Sequence, residues 1–373
     1  MRLQHLTLRD FRNYREAETD FAPDINVISG ENAQGKTNLL EAVWMLSGGR
    51  SFRTRFDREL IALDRDSAEI EAAVQLAGRE QCIRILLRRG QSKQIFCNGV
   101  RQTGCELGEK LKAVLFSPDD LNLIRDGAGA RRRLMDLAIG QLRPGYAAAL
   151  SDYRRVYENK SRLLRDYRND SAMLGTLDTF SEALARLSAR LIRYRASFAR
   201  RLGDCAAPIH RAFTAGGTPE RLELRYATVR TVTDPTASET RIYEEVLAHQ
   251  RAHREAELSA GTCLTGAHKD DLEISLNGRP ARAYASQGQT RTAALSLKLA
   301  EREIILQETG EYPILLLDDV LSELDSRRQE FVLNRIGGGQ TLITCCEDAQ
   351  LIAGRTGGRV LTVKDGVISE GSA

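Results

Sequence analysis

The stretch Gly30-Glu-Asn-Ala-Gln-Gly35-Lys36-Thr37 constrains this chain more than any other feature, because it reads GxxxxGK[ST]. It follows the short β-rich run Ile25–Ser29 and precedes the helix-like Asn38–Leu46, the strand–turn–helix context that a phosphate-binding loop requires. Glycines let backbone N–H groups approach phosphate oxygens, and the following helix N-terminus adds its positive end. The ligand expected here is a nucleoside triphosphate, held by residues Gly30, Glu31, Asn32, Ala33, Gln34, Gly35, Lys36, Thr37 and Asn38. Lys36 would neutralise the β and γ phosphates, and the Thr37 hydroxyl would ligate magnesium.

A second element completes such a site. Ile314–Leu317 is a continuous apolar run of the buried parallel-strand type, and it ends in Asp318-Asp319. Ligands bind at the carboxyl ends of strands in open α/β sheets, so Asp318 is expected in the magnesium shell. Asp319 points the other way and would orient or deprotonate an attacking water. A solvated strand end capping the next helix would show the same two carboxylates. Ser286-Gln287-Gly288-Gln289 opens the helix expected over 292–307, and reads either as a second anion site or as an ordinary helix cap. Ser322-Glu-Leu-Asp325 follows the acidic pair.

Around these elements the chain is β/α at both ends and helical in the middle. Alternation at Leu6 and Leu8, the strand-like span 67–100 with its Asn98-Gly99 turn, and the run Thr341–Thr344 mark the ends. Phe180, Leu184, Leu187, Leu191, Tyr194 and Phe198 form a heptad-like seam on a helix of about 25 residues, with 150–167 as its antiparallel partner and a short polar loop over 168–176. The segment 214–240, with Gly216-Gly217, Pro219 and Pro235 around a possible strand Leu222–Tyr226, reads as an irregular connection. The expected organisation is therefore one α/β ATPase domain built from 1–125 and 256–373, interrupted by a helical lobe at 126–255.

Composition narrows the class further. No apolar run approaches the roughly 20 residues of a membrane helix, and charges occupy the positions where a signal peptide carries its apolar core, so a cytoplasmic protein is expected. Seven cysteines without a CxxC pair indicate neither a disulfide framework nor a zinc site, and Cys345-Cys346 reads as core at a strand end. His249 and His253 stand at i, i+4, a spacing that can bind metal. The net charge of +3 rests on 46 Arg against 8 Lys. Arginines cluster at Arg50, Arg53, Arg55 and Arg58, at Arg131, Arg132 and Arg133, and along one helix face at Arg186, Arg190, Arg193 and Arg200. Between 125 and 170 there are 11 basic and 6 acidic residues. These clusters read as DNA phosphate contacts or as a solvated basic face.

The order of phosphate loop, Ser-Gly signature, acidic strand and S-x-x-D loop is similar to that of ABC-type ATPases. Five blocks resemble the bacterial RecF family more closely: LTLRDFRNY (6–14), GENAQGKTNLLEA (30–42), FSPDDL (116–121), LTGAHKDDL (264–272) and LLLDDVLSELD (315–325). The resemblance implies an ABC-type head domain with an inserted helical lobe and a weakly hydrolysing ATPase. It implies a homodimer formed on ATP, in which the signature Ser286 to Gln289 contacts the partner's nucleotide and Ser322 and Asp325 form the D-loop. It further implies recognition of gapped and junction DNA, work with RecR and RecO to load RecA, and roles in replication-fork maintenance and SOS induction. Arg12 corresponds to a basic residue that reaches the nucleotide in SMC-like relatives, although a surface arginine fits the position equally. Three features depart from the pattern of many ABC ATPases. Asp319 replaces a Glu, the usual switch-loop His is absent, with Thr344 or Glu347 as substitutes, and there is no LSGGQ. His268, inside the fourth block, is expected to be structural or at a dimer interface. A transporter motor subunit, an SMC-type chromosome organiser and a small-molecule P-loop kinase are the competing readings. The short hairpin argues against the second, and the Ser286 and Ser322 motifs argue against the third.

Overall fold

The computed structural model describes residues 1–166, 173–215, 219–346 and 349–371. By internal contacts the chain divides into two units, 1–121 with 298–373, and 122–297. The termini thus share a unit, as the sequence pattern suggests, while 256–297 groups with the inserted segment. Pairing explains the shift: strand Asp271–Leu276 runs antiparallel to strand Leu222–Ala227 over six residue pairs, and Arg279–Pro280 adds a third strand.

Among the described residues the first unit holds two six-stranded sheets. One is antiparallel and runs through Tyr14–Asp20, Arg2–Phe11, Ser67–Leu76, Arg79–Arg88, Gln94–Cys97 and Val100–Gln102. Its Asn98-Gly99 turn has φ of 49° and 77°, positive at both positions as a tight two-residue hairpin demands. The other sheet positions the candidate site. Its strands are ordered Val367–Glu370, Arg359–Lys364, Ile25–Ser29, Thr341–Cys345, Ile314–Leu317 and Ala113–Phe116, with every pair parallel except the first. Ile314–Leu317 and Ala113–Phe116 are buried throughout, which accounts for their unbroken apolar runs.

In the second unit, the helix expected to span about 25 residues is Met173–Thr214, 42 residues long. At 1.5 Å per residue it extends about 60 Å. It packs against helices Pro144–Asp166 and Glu239–Ala252 and against strand Leu222–Ala227. With neighbours on several sides, its buried face is wider than a heptad seam: Leu184, Leu191 and Phe198 are buried as expected, but so are Ala185, Ser188, Ile192, Arg195 and Leu202. Leu187 and Tyr194 are only half-buried. The connection 214–240 contains the expected strand, and its Gly216-Gly217 lies outside the described residues, as does 167–172 of the hairpin loop.

Polar side chains tie these helices to the block 264–272. Arg195, 3% exposed, donates to Asp136, to the Ala267 carbonyl at 2.7 Å and to Asp270 at 3.3 Å. Asp270 also accepts from Tyr226 and Thr228. Lys160 and Glu257 form a buried ion pair at 2.7 Å, and Glu257 accepts in addition from the Leu264 and Thr265 backbone. His268 Nδ1 lies 2.7 Å from the Tyr153 hydroxyl and Nε2 3.2 Å from the Cys263 carbonyl. A carbonyl only accepts, so Nε2 carries the proton and the tyrosine donates to Nδ1. The block's His and Asp residues therefore serve packing in this unit. Among the described residues no group of three or more His, Cys, Asp and Glu is placed to hold a metal ion, and His249 and His253 meet as tilted rings 4.1 Å apart. Among the described residues no helix is long and apolar enough to cross a membrane.

Burial lowers the His268 pKa from 6.5 to about 4. Below pH 6.5 the unfolded chain takes up a proton that the folded chain refuses, so this contribution to stability is complete above pH 6.5 and drains away toward pH 4. Urea unfolding at pH 7 and pH 5 should show the wild type losing about 1–2 kcal/mol more than His268→Gln over that interval. Equal losses would remove His268 as the source.

Candidate functional site

The phosphate-binding loop is bent by residues that must turn left-handed and is clamped from outside. Gly30 (φ 154°) and Gly35 (φ 122°) lie where a side chain is both strained and obstructed. A Cβ on Gly30 would stand 2.3 Å from the Val363 carbonyl oxygen, and one on Gly35 would stand 2.7 Å from Asn13 Nδ2. The Gln34 carbonyl accepts from Asn13 Nδ2 at 2.8 Å and from the Gly366 N–H at 3.2 Å, while the Tyr14 hydroxyl donates to the Gly35 carbonyl at 2.9 Å. Burial raises the Tyr14 pKa far above the ordinary value and keeps that hydroxyl a donor. Asn38 bonds Asn13 from the first turn of helix Lys36–Met45.

The charged residues converge at the carboxyl ends of three adjacent parallel strands. Lys36, 4% exposed, folds back over the loop with Nζ 2.7 Å from the Gly30 carbonyl, 3.0 Å from the Glu31 carbonyl and 3.2 Å from Cys346 Sγ. Thr37 Oγ1 donates to Asp318 Oδ1 at 2.9 Å, and Thr344 Oγ1 approaches the same oxygen at 3.0 Å. Burial raises the Asp318 pKa and the neighbouring Asp319 raises it further, against the opposing hydroxyl bonds of Thr37 and Thr344. Such a site gains from a cation, which would favour the ionised carboxylate. A hydroxyl and a carboxylate in contact are hard oxygen donors, the set that suits a magnesium ion retaining several waters. Asp319 sits at φ 49°, with its N–H donating to Thr344 at 2.8 Å and its carbonyl accepting from Ser322. Of the two named substitutes for a switch histidine, Thr344 is thus in the site, whereas Glu347 lies outside the described residues.

Several other expectations meet a different environment. Arg12 spends its guanidinium on Glu41, through Nε at 2.9 Å and Nη2 at 2.8 Å, and on the Glu59 carbonyl. Glu41 is fully buried and also accepts from Ser51, so Arg12 fastens the loop after the helix. Arg53 donates to Asn38 at 2.6 Å and stands 3.7 Å from Glu41. Arg50 and Arg55 are exposed and, among the described residues, pair with no carboxylate; Phe56 beside them is 56% exposed with Arg58 over its ring. Arg131 is a correction: it is 4% exposed, forks onto Asp271 at 2.7 and 2.9 Å and donates to three backbone carbonyls, so it has nothing left for DNA. Arg132 donates to the Asp270 carbonyl, and Arg133 is exposed. On the long helix Arg193 is exposed, Arg186 lies over Tyr243 and Arg190 pairs with Glu239.

In the second unit Ser286 caps helix Gln287–Thr309, its Oγ accepting from the Gln289 N–H at 3.2 Å while Gln289 Oε1 accepts from the Ser286 N–H. Ser286 and Gln287 remain exposed and Gly288 and Gln289 half-buried. Asp325 caps helix Ser326–Leu333 by accepting from the Arg328 N–H, and Ser322 is exposed. Sequence reasoning missed the Asn13 and Tyr14 clamp, the Arg12–Glu41 fork and the Cys346 contact, which join segments up to 310 residues apart without a periodic signal.

The RecF/RecN/SMC N terminal domain family matches residues 2–369. The chain is 37% identical over 366 residues to the DNA replication and repair protein RecF of Acetivibrio thermocellus, covering 98% of each. It is 40% identical over 348 residues to RecF of Bacillus subtilis strain 168, covering 92% of this chain and 93% of that one. This chain belongs to the RecF family. A solved structure of the recombination mediator protein RecF with ATPrS, described as part of the RecFOR pathway, superposes on it with a TM-score of 0.91 at 32% identity over 100% of this chain and 98% of that one. The Smc head domain of Pyrococcus furiosus, at 15% identity and a TM-score of 0.54 over 100% of this chain and 96% of that one, shares the fold alone. The RecF-family fold is accordingly that of an ABC-type ATPase head.

If Glu41 is the anchor of Arg12, Glu41→Ala should cost about 3–5 kcal/mol, the usual penalty for stranding one member of a buried pair, and Arg12→Ala/Glu41→Ala should recover part of it. Thermal unfolding checks this. Loss of nucleotide binding in Arg12→Ala at an unchanged melting temperature would contradict it.

Proposed function

We propose that this chain is a slow ATPase of DNA repair whose bound ATP holds two copies together on gapped DNA. The observation that carries the reading is the meeting of Thr37, Asp318 and Thr344 beside the loop that holds Lys36. Residues 30–38 would bind the triphosphate, with Lys36 exchanging its carbonyl contacts for phosphate oxygens. Thr37 and Asp318 would hold magnesium, which when bound neutralises developing negative charge on the phosphates. Asp319 would position the attacking water. Its side chain is one methylene shorter than the Glu of many ABC ATPases, which suits a slow switch better than a motor.

The partner copy enters through Ser286 and Gln287, whose exposure leaves them available to a nucleotide on another molecule, with the half-buried Gly288 beside them, and through Ser322 and Asp325. DNA would be held by phosphate contacts from Arg50, Arg53 and Arg55, and from Arg133, Arg186, Arg190 and Arg193, since recognition of a single-strand to duplex junction rests on charge and shape. The RecFOR pathway named for the solved relative supports RecR and RecO as partners. RecA loading, a cytoplasmic site of action, replication-fork maintenance and the SOS response belong to the same proposal. Similarity over nearly the full length of RecF proteins favours this reading over a transporter motor or an SMC chromosome organiser.

Sedimentation with ATP, with ADP and without nucleotide tests the switch. The wild type should dimerise with ATP alone, Lys36→Ala should stay monomeric, and Asp319→Asn should dimerise while hydrolysing on the order of 10²-fold more slowly. A wild-type chain that hydrolyses ATP as a monomer would refute the proposal. For DNA, Arg50→Ala/Arg55→Ala should weaken binding to gapped and duplex substrates and flatten the log K against log salt slope by about one unit per lost phosphate contact. An unchanged slope would remove those two arginines from the interface.

A further inference from the structure

The exposed Ser286 turn is braced from beneath by side chains distant in sequence. Gln289 closes the cap at both ends through Ser286, and its Nε2 also donates to Glu220 Oε1 at 2.7 Å. A flipped amide would set oxygen against the carboxylate and NH2 against the Ser286 N–H, so one orientation satisfies both contacts. Glu220 uses its other oxygen on His210, whose Nε2 lies 3.0 Å from Oε2 and donates because a carboxylate accepts. His210 is fully buried, and its Nδ1 stands 3.3 Å from Ser296 Oγ on the helix that Ser286 caps. A capping pair needs only its serine and glutamine. Adding a carboxylate and a buried imidazole costs desolvation that helix capping does not require, and what it gains is a single conformation for Gln289.

We propose that Glu220, backed by His210, is a positioning residue that locks Gln289 and through it sets the Ser286 hydroxyl and the Gly288 backbone for the terminal phosphate bound on a second copy. This rests on the reading of Ser286 to Gln289 as a contact made across copies. Glu220 touches neither nucleotide nor water in this scheme. Its effect should appear in dimerisation and in kcat, with nucleotide affinity of the isolated chain preserved.

The test compares wild type, Ser286→Ala, Glu220→Ala, Glu220→Gln and Gln289→Met in full-length protein. ATP-dependent dimerisation is read by sedimentation, ATP affinity of the monomer with a fluorescent analogue under dilute conditions, and folding by thermal unfolding. Glu220→Ala should weaken the ATP dimer about tenfold or more, the usual consequence of losing a charge-assisted hydrogen bond, at unchanged monomer affinity. Glu220→Gln keeps an oxygen for Gln289 and should restore most of the loss. In the Ser286→Ala background the Glu220→Ala effect should vanish, a coupling that a merely structural role would not produce. Should Glu220→Ala fold poorly, Gln289→Met breaks the same link and must give the same dimer defect. If Ser286→Ala weakens the dimer while Glu220→Ala and Gln289→Met do not, the relay is overturned and the trans contact stands. If Ser286→Ala also leaves the dimer intact, the trans contact falls and the relay with it.

Discussion

The candidate site depends on a register. Strand Thr341–Cys345 lies between Ile25–Ser29 and Ile314–Leu317, paired in parallel with both. Parallel pairing sets all three carboxyl ends on one edge, so the phosphate loop, Thr344 and Asp318 meet although they come from three distant stretches of chain. Two hydroxyls then converge on one carboxylate oxygen that burial has already made costly to ionise. A bound cation would offset that cost and favour the ionised carboxylate.

What the sequence made legible was whatever has a local signature. The loop, the two acidic residues at a strand end, the Ser286 cap and the Asn-Gly turn each depend on neighbours within a few positions, and each stands in the expected element. The helix after residue 173 was legible in type but short by more than a third, because the apolar seam that marked it runs only from Phe180 to Phe198 while the helix continues through Pro208 to Thr214. The seam there was read too narrow because periodicity reveals one packed face, while this helix touches several partners. Long-range charge pairing was opaque altogether. Arg131 and Arg133 look alike in a basic run, yet one is consumed by Asp271, 140 residues away.

That contrast bears on how arginine is used throughout the chain. Arg12, Arg131 and Arg195 are buried or partly buried struts that satisfy carboxylates and stranded carbonyls, the work to which a planar five-donor group is suited. Arg50, Arg55 and Arg193 face water. A count of 46 arginines is therefore a mixture of two populations, and burial separates them where composition does not.

The strand that delivers the phosphate loop is flanked on one side by Thr341–Cys345 and on the other by Arg359–Lys364. Both arrive some 300 residues after it. A ribosome therefore emits the loop-bearing strand long before either of its neighbours, and Gly366, which closes over Gln34, follows later still. A chain cut short between residues 37 and 341 would hold the whole loop sequence and yet lack both strands that flank it.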